Sequence, residues 1–247
     1  MNKKNKNSKL TLWCLHGNLQ NPSAWDEFGS DLDDSVNIHK VNLWNSRSES
    51  LWDWAGTFCK KVAIESNNDN NYLLGYSLGG RLALHALISE PSLWKGVVIV
   101  AADTGYSDKQ KREKQLMADK VWSDRFLNES WKELIESWNN QSVFCGYKNK
   151  LETNEVDFDR KMISRFFNVF SKGKQEDLIQ FIARLVNKPI LYISGEEDKK
   201  YYAIGQSLEL KCKNVKHIKI HNAGHRVPWE NPEVFKSSIM KFLNLLN

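Results

Sequence analysis

The segment that most restricts the fold of this chain is GYSLGG, residues 75–80. It follows an apolar run at residues 72–74 and opens a Leu- and Ala-rich stretch at residues 78–87, so it predicts a sharp turn from a strand into a helix. Glycines at both ends of such a turn allow close backbone approach. The turn would set the Ser77 hydroxyl at a helix N-terminus, where backbone N–H groups favour developing negative charge.

Short apolar runs with the length of buried strands recur along the chain. They comprise residues 10–15, 36–43, 72–74, 96–102, 189–194 and 215–220. Helical patterns separate them, the clearest at residues 52–64, 78–87 and 231–246. Strands that alternate with helices predict an α/β fold whose mostly parallel sheet has helices on both faces.

One long segment, residues 106–186, contains a charged helical pattern with Trp and Phe but no good strand. The chain of 247 residues suits a single α/β domain that carries such an insertion. We therefore expect a core at residues 10–105 and 187–247, a helical lid at 106–186, and a disordered basic tail at 1–9. The lid should cover the carboxyl edge of the sheet, where ligands bind in open α/β sheets.

The overall composition, with 41% hydrophobic and 26% charged residues, is typical of a soluble globular protein. A net charge of +5 favours small anionic ligands. No basic helix with interleaved aromatic residues follows the tail, so we expect no nucleic-acid partner. No apolar run approaches the ~20 residues that span a bilayer, so we expect no membrane partner.

The four cysteines lie far apart and form no CxxC pair or Cys/His cluster. The first apolar run is too short for a signal peptide and lacks a small-residue cleavage site. We therefore expect a cytoplasmic protein with free thiols, without a metal and without a nucleotide or flavin cofactor. A monomer or a homodimer is expected.

A serine nucleophile needs a base within hydrogen-bond reach. His225 lies in a loop between the last predicted strand and the last helix, which can reach the carboxyl edge of the sheet. We expect it to be the base in preference to His221, which lies at a strand end. For a serine on this kind of turn, the acid follows Ser and precedes His along the chain. Asp198, just past the fifth strand, fits that position, and Asp103, past the fourth, is the alternative.

Two backbone N–H groups are expected to form an oxyanion hole beside Ser77. One is that of Leu78, the residue after the serine. The other should come from the loop after the first strand, residues 16–19, and Asn18 is the predicted donor. His16 is expected to pack structurally rather than to react.

Four segments together resemble the α/β-hydrolase superfamily over nearly the whole chain: residues 16–17, 75–80, 195–198 and 224–225. A narrower resemblance concerns residues outside the triad. Residues 75–84 are similar to the serine turn of the 2-succinyl-6-hydroxy-2,4-cyclohexadiene-1-carboxylate synthase (MenH) family of menaquinone and phylloquinone biosynthesis. Parts of the insertion resemble that family's lid, namely Asp119, Trp122, residues 125–127 and residues 138–144.

The resemblance implies a lyase that eliminates pyruvate from an enolpyruvyl cyclohexene rather than an enzyme that hydrolyses an ester. Ser77, activated by His225, would abstract a ring proton, while the oxyanion hole holds charge on the succinyl carbonyl. The substrate carries several carboxylates, so cationic side chains should line the pocket. Arg81 and Arg165 resemble family arginines in that role, and Tyr76 and Trp138 would form the pocket walls.

The chain departs from the family pattern in the expected pocket. Residues 42–47 stand where the family usually has an Asp/Leu-Pro-Gly-His-Gly stretch. Gln115 occupies the position of an expected lid arginine, and Val100 that of a common glutamate. A serine hydrolase of a small ester, thioester or related acyl compound is therefore the alternative, because one triad serves both chemistries.

Overall fold

A parallel sheet lies at the centre of the computed structural model, which describes residues 9–30, 32, 36–66 and 70–244. Within those residues the sheet has six strands in the order β2-β1-β3-β4-β5-β6, and every neighbouring pair is parallel. The strands are β1 (Leu10–Leu15), β2 (Val36–Val41), β3 (Asn71–Tyr76), β4 (Gly96–Val100), β5 (Ile190–Gly195) and β6 (Val215–Ile220). The predicted α/β class is thus confirmed. The predicted tail lies outside the described residues except for Lys9.

Strand composition follows position in the sheet. β1, β4 and β5 are buried at every residue, which explains their unbroken apolar runs. The edge strands β2 and β6 are only partly buried and carry lysines, Lys40 in β2 and Lys216 and Lys219 in β6.

Helices cover both faces of the sheet. They are α1 (Asp26–Ser30), α2 (Leu51–Glu65), α3 (Leu78–Ser89), α4 (Lys109–Asn128), α5 (Trp131–Asn139), α6 (Arg160–Val169), α7 (Ile179–Arg184), α8 (Lys199–Lys211), α9 (Val227–Glu230) and α10 (Pro232–Phe242). Side-chain caps start several of them: Ser50, Asp108 and Asp159 accept backbone N–H groups of α2, α4 and α6. The predicted final helix, residues 231–246, is α10, and its last two predicted residues lie outside the described part.

Two strands end earlier than the apolar runs predict. β2 stops at Val41, because the Asn42 side chain accepts the Trp44 N–H and starts a short 3-10 helix. β4 stops at Val100, because Ala101 adopts a left-handed conformation with φ of 45°. Both changes turn the chain at the carboxyl edge of the sheet.

Helices α4 to α7 lie between β4 and β5 and form the helical insertion. A separate apolar cluster holds it together, with Phe126, Leu134, Ile163 and Phe167 buried against Leu19 of the core. Ser123 of α4 and Ser164 of α6 share a hydrogen bond of 2.8 Å. The insertion is therefore packed onto the loop that follows β1.

The order of the strands creates a crevice beside β1. Its neighbours are β2 on one side and β3 on the other, so successive connections leave in opposite directions. In open α/β sheets, ligands bind at the carboxyl ends of the strands at such a switch point. The loop after β1 and the turn after β3, which carries Ser77, meet there.

Candidate active site

Ser77 is held in the sharp turn that the glycines predict. Its backbone has φ of 51° and ψ of −109°, a strained conformation for a residue with a side chain. A Cβ at Gly79 would collide with the carbonyl oxygens of the loop after β1, and one at Gly75 with Gly79 itself. Close backbone packing therefore fixes Ser77 between β3 and the first residue of α3.

The structure brings the three predicted triad residues together. Ser77 Oγ lies 3.3 Å from His225 Nε2, and His225 Nδ1 lies 2.6 Å from Asp198 Oδ2. The side chains of His225 and Asp198 are 4% and 3% exposed, so water competes little for their contact. Burial lowers the pKa of His225, and the Asp198 carboxylate opposes this only in part. The imidazole is thus neutral near pH 7 and able to accept a proton.

Hydrogen bonds from backbone N–H groups hold the loops that carry Asp198 and His225 in place. Asp198 follows β5 and caps α8 by accepting the Tyr201 N–H at 3.3 Å. The Glu197 N–H donates to Ala223 O at 3.0 Å, which joins the two loops. The Gly224 N–H donates to the Glu230 carboxylate at 2.6 Å and fixes the residue before His225.

The rival residues lie elsewhere. The Asp103 carboxylate forms an ion pair with Lys200 at 3.0 Å and is not in contact with His225. Burial would raise the pKa of Asp103, but the charges of Lys200 and Lys172 outweigh it, so this pKa lies below its usual value. His221 is exposed and faces Glu196 at 3.0 Å.

His16 is buried and structural, as the sequence predicts. Its Nε2 accepts the Leu43 N–H at 3.1 Å, and its Nδ1 lies 2.9 Å from Gly17 O. Burial lowers the pKa of His16 to about 4, so the ring is neutral at pH 7 and can accept that bond. His16 thereby ties the loop after β1 to the end of β2.

The two predicted oxyanion donors, Asn18 and Leu78, both line the cavity that contains Ser77. Leu78 is the first residue of α3, so its N–H has no intrahelical partner. The loop that carries Asn18 is held by a bond of 2.9 Å from the Gly17 N–H to the Gln20 side chain. Leu19 takes φ of 54°, a left-handed conformation that no pattern in the sequence predicts.

The cavity has a volume of about 340 Å³ and lies between the sheet edge and the helical insertion. Tyr76 and Trp138 line it as predicted, and further aromatic lining residues are Trp122, Phe144, Phe166, Phe167, Phe170 and Tyr201. Trp44, from the segment that departs from the family pattern, packs its ring on Phe166 at 4.8 Å. Within the described ranges, eight aromatic side chains thus line the cavity beside its polar residues.

Charged residues occupy one region of this cavity. Among its described lining residues the cations are Arg81, Lys172, Lys200 and Arg226, and the carboxylates are Asp103 and Asp119. The Arg81 guanidinium is almost fully buried and donates to Phe170 O at 2.7 Å and to the Gln175 side chain at 3.3 Å. Arg81 therefore lies at the pocket as predicted, with part of its donor capacity already used.

Arg165 is not among the residues that line the cavity, contrary to the prediction. Its guanidinium instead donates to the carbonyls of Arg47 and Ser48 and pairs with Glu49 at 2.7 Å. These contacts hold the side chain at the loop before α2. Arg165 thus joins α6 to the loop before α2.

Three lining cations were not among the predicted site residues. Lys200 lies two positions after Asp198, and Arg226 lies one position after His225. This closeness to the triad in the sequence could have indicated that both cations line the cavity. Lys172 follows α6 in a short 3-10 turn, Lys172–Lys174, where no sequence pattern indicates direction. Its place in the cavity depends on how the insertion packs.

Among the residues that the structure describes, no group of three or more His, Cys, Asp or Glu side chains could hold a metal ion. A helix with the length and apolarity needed to cross a bilayer does not occur in the described ranges either.

The sequence model of the alpha/beta hydrolase fold family matches residues 60–232, which contain Ser77, Asp198 and His225. The chain therefore belongs to the alpha/beta hydrolase fold family. Among solved structures, MenH from S. aureus superimposes with a TM-score of 0.86 at 17% identity, covering 98% of this chain and 96% of that one. A carboxylesterase from Bacillus subtilis gives 0.67 at 17% identity, covering 98% and 86%. At these identities both show the fold alone.

Two similar proteins with assigned names share the same name. The 2-succinyl-6-hydroxy-2,4-cyclohexadiene-1-carboxylate synthase of Enterobacter sp. (strain 638) is 25% identical over 239 residues, covering 94% of this chain and 90% of that protein. The protein of the same name from Yersinia pseudotuberculosis serotype O:1b is 27% identical over 187 residues, covering 73% and 66%. The resemblance inferred from the sequence is thus confirmed, and family and relatives together support an enzyme.

Proposed function

We propose that this protein is a carbon–oxygen lyase that eliminates pyruvate from 2-succinyl-5-enolpyruvyl-6-hydroxy-3-cyclohexene-1-carboxylate. Ser77, His225 and Asp198 act as its triad, and residues 106–186 act as a lid over the site. The named relatives support the choice of reaction.

The observation that carries the proposal is that the Ser77–His225 pair and a group of cations face one cavity. Four cations against two carboxylates leave the described lining with an excess of positive charge. A polycarboxylate ligand compensates such an excess, whereas a neutral ester does not. The aromatic walls would contact the apolar face of a six-membered ring.

The reaction needs one proton to be moved and one bond to be broken. The proton on the ring carbon beside the succinyl ketone passes to Ser77 Oγ as the hydroxyl proton passes to His225 Nε2. The electron pair moves to the ketone oxygen, where the N–H groups of Asn18 and Leu78 stabilise the charge. It then returns to form a C2=C3 bond, the existing ring C3=C4 bond shifts to C4=C5, and the C5–O bond to the enolpyruvyl group breaks.

Loss of the proton from His225 to the leaving group restores the enzyme. The departing enolpyruvate takes the proton from His225 and tautomerises to pyruvate. Asp198 stabilises the imidazolium that exists in between, and it fixes the Nδ1–H tautomer beforehand. No covalent bond to Ser77 is needed.

A serine hydrolase of a small acyl compound is the second candidate. The aromatic lining of the cavity favours it, since Trp122, Trp138 and Phe167 could hold an apolar acyl group. In that reaction Ser77 Oγ attacks the acyl carbonyl, and the same two N–H groups stabilise the tetrahedral oxyanion.

The discriminating experiment supplies both substrates to the purified full chain. Pyruvate release from freshly made enolpyruvyl substrate is followed by coupled NADH oxidation, against an enzyme-free control that subtracts spontaneous elimination. A short-chain aryl ester is assayed in parallel. Pyruvate release well above the control supports the lyase. Ester cleavage, together with pyruvate release no faster than in the enzyme-free control, overturns the lyase and selects the hydrolase.

A further inference from the structure

The Lys172 ammonium differs from the other cations that line the cavity. Arg226 donates to the Asn139 side chain at 2.5 Å and stacks on Phe144, with 3.6 Å from its guanidinium carbon to the ring centroid. Lys200 pairs with Asp103. In the described part of the chain no hydrogen bond or ion pair engages the Lys172 ammonium, although that side chain lines the cavity.

The nearby carboxylates are already occupied. Asp103 is paired with Lys200 and accepts the Gly105 N–H at 3.2 Å. Asp119 accepts the Ser171 hydroxyl at 2.6 Å and the Gln115 amide at 2.8 Å. Both carboxylates therefore have closer partners than Lys172, and they act on its ammonium only through their charge.

A partly buried ammonium without a directly paired carboxylate is costly, because burial removes water from the charge. Burial and the positive charge of Lys200 lower the pKa of Lys172 to about 8, although the charges of Asp103 and Asp119 oppose the shift. At pH 7 roughly nine-tenths of this side chain is still charged. An anion that enters the cavity would relieve the cost directly.

Lys172 is also close enough to the catalytic pair to affect it, since its positive charge contributes to lowering the pKa of His225. The ionisable side chains that influence Lys172 and His225 in this region are Arg81, Asp103, Asp119, Asp198, Lys200 and Arg226. An anionic group at Lys172 would thus belong to a molecule that reaches Ser77.

We propose that Lys172 binds a carboxylate of the substrate, with Lys200 and Asp103 forming a neutral wall beside it. The inference deepens the proposed function and rests on it for the identity of the ligand. Lys172 would then supply a cationic contact that neither Arg165 nor Gln115 provides, since Arg165 is bound to the loop before α2 and Gln115 is uncharged.

The test is a binding measurement that requires no turnover. The probe is 2-succinylbenzoate, which carries a ketone and two carboxylates on a six-membered ring. 1-Phenylbutan-1-one has the same ring and ketone without the carboxylates and is the uncharged control. The proteins are the full chain, Lys172→Gln, Lys172→Arg and Lys174→Gln. Lys174 is matched, because it lies on the same short 3-10 turn, is exposed and does not line the cavity.

Calorimetric titration at pH 7 should give saturable binding of 2-succinylbenzoate to the wild type. Lys172→Gln should weaken this by about tenfold or more, as loss of a charge-assisted contact does. Lys172→Arg should keep most of the affinity, and Lys174→Gln all of it. For the wild type, affinity should fall from pH 7 to pH 9 as Lys172 loses its proton, while Lys172→Gln shows no such fall.

Three results would overturn the inference: equal affinity of Lys172→Gln and wild type, an equal loss in Lys174→Gln, or no saturable wild-type binding at millimolar probe. Its failure is separable from that of the proposed function. Lys172-dependent probe binding without pyruvate release would reject the lyase and keep the carboxylate site. Pyruvate release with an unchanged KM in Lys172→Gln would keep the lyase and reject the carboxylate site.

Discussion

Asp103 and Asp198 are two buried carboxylates that follow neighbouring parallel strands, β4 and β5, at the same edge of the sheet. Asp198 contacts His225 at 2.6 Å, whereas Asp103 contacts Lys200 at 3.0 Å. The difference arises from the loop after β6, which runs beside the loop after β5 through the bond between Glu197 N and Ala223 O. That loop delivers the histidine to Asp198 alone.

A carboxylate at a strand end therefore acquires its role from the partner that the neighbouring loop supplies. A histidine partner gives a group that can orient a base. A lysine partner gives a fixed ion pair that shapes the cavity. Substitutions at the two carboxylates should therefore have different effects.

The largest effect is expected for Asp198→Asn. The amide cannot hold the Nδ1–H tautomer of His225 or stabilise imidazolium, so kcat should fall by about 10³–10⁴-fold. Asn can still cap α8, so the melting curve by circular dichroism should change little. A loss of less than tenfold in the pyruvate assay would remove Asp198 from the triad.

A much smaller effect on turnover is expected for Asp103→Asn. The triad stays intact, so kcat should remain within about tenfold of wild type, while loss of the partly buried ion pair should lower the free energy of unfolding by about 1–2 kcal/mol. Urea denaturation and steady-state kinetics measure the two quantities. If turnover fell as far as in Asp198→Asn, Asp103 would be the acid.

The acid limb of the pH profile should differ between the two variants. Because burial lowers the pKa of His225, kcat/KM should fall on the acid side at a lower pH than an ordinary histidine would give, as the imidazole becomes protonated. Asp198 raises this pKa, so Asp198→Asn should move the limb to lower pH, and Asp103→Asn should leave it in place. NMR titration of the His225 ring checks both; an equal shift in the two variants would contradict the comparison.

The smallest effect is expected for Glu196→Gln. Glu196 lies two residues before Asp198, but its carboxylate faces Lys219 at 2.7 Å and His221 at 3.0 Å on the surface. Activity and melting temperature should match those of the wild type. Loss of activity would mean that position in the loop, rather than the histidine contact, determines the role of an acid there.

The residues at the sheet edge could be predicted because the backbone dictates their position. Ser77 directly follows β3, and Asp198 and His225 lie in short loops after β5 and β6. Parallel strands bring those loops to one edge whatever the details of packing. Strand ends were harder, because Ala101 and Asn42 stop the strands through local backbone geometry that apolar runs do not report.

The cation contacts of the insertion could not be predicted to the same degree. Arg165 lies on α6, and which way its side chain points depends on how α6 packs on α4 and on the loop before α2. Lys172 lies in a turn after α6 whose direction is likewise set by tertiary contacts. Helical periodicity identifies a buried face but does not say which neighbour that face meets.

The most direct test of the account compares pyruvate release by the wild type, Ser77→Ala and Ser92→Ala. Ser92 is a matched exposed serine that lies beyond α3 and does not line the cavity. The account predicts wild-type turnover for Ser92→Ala and a loss of at least about 10³-fold for Ser77→Ala, as other triad removals give. Near-normal pyruvate release by a folded Ser77→Ala protein would show that Ser77 does not carry the reaction.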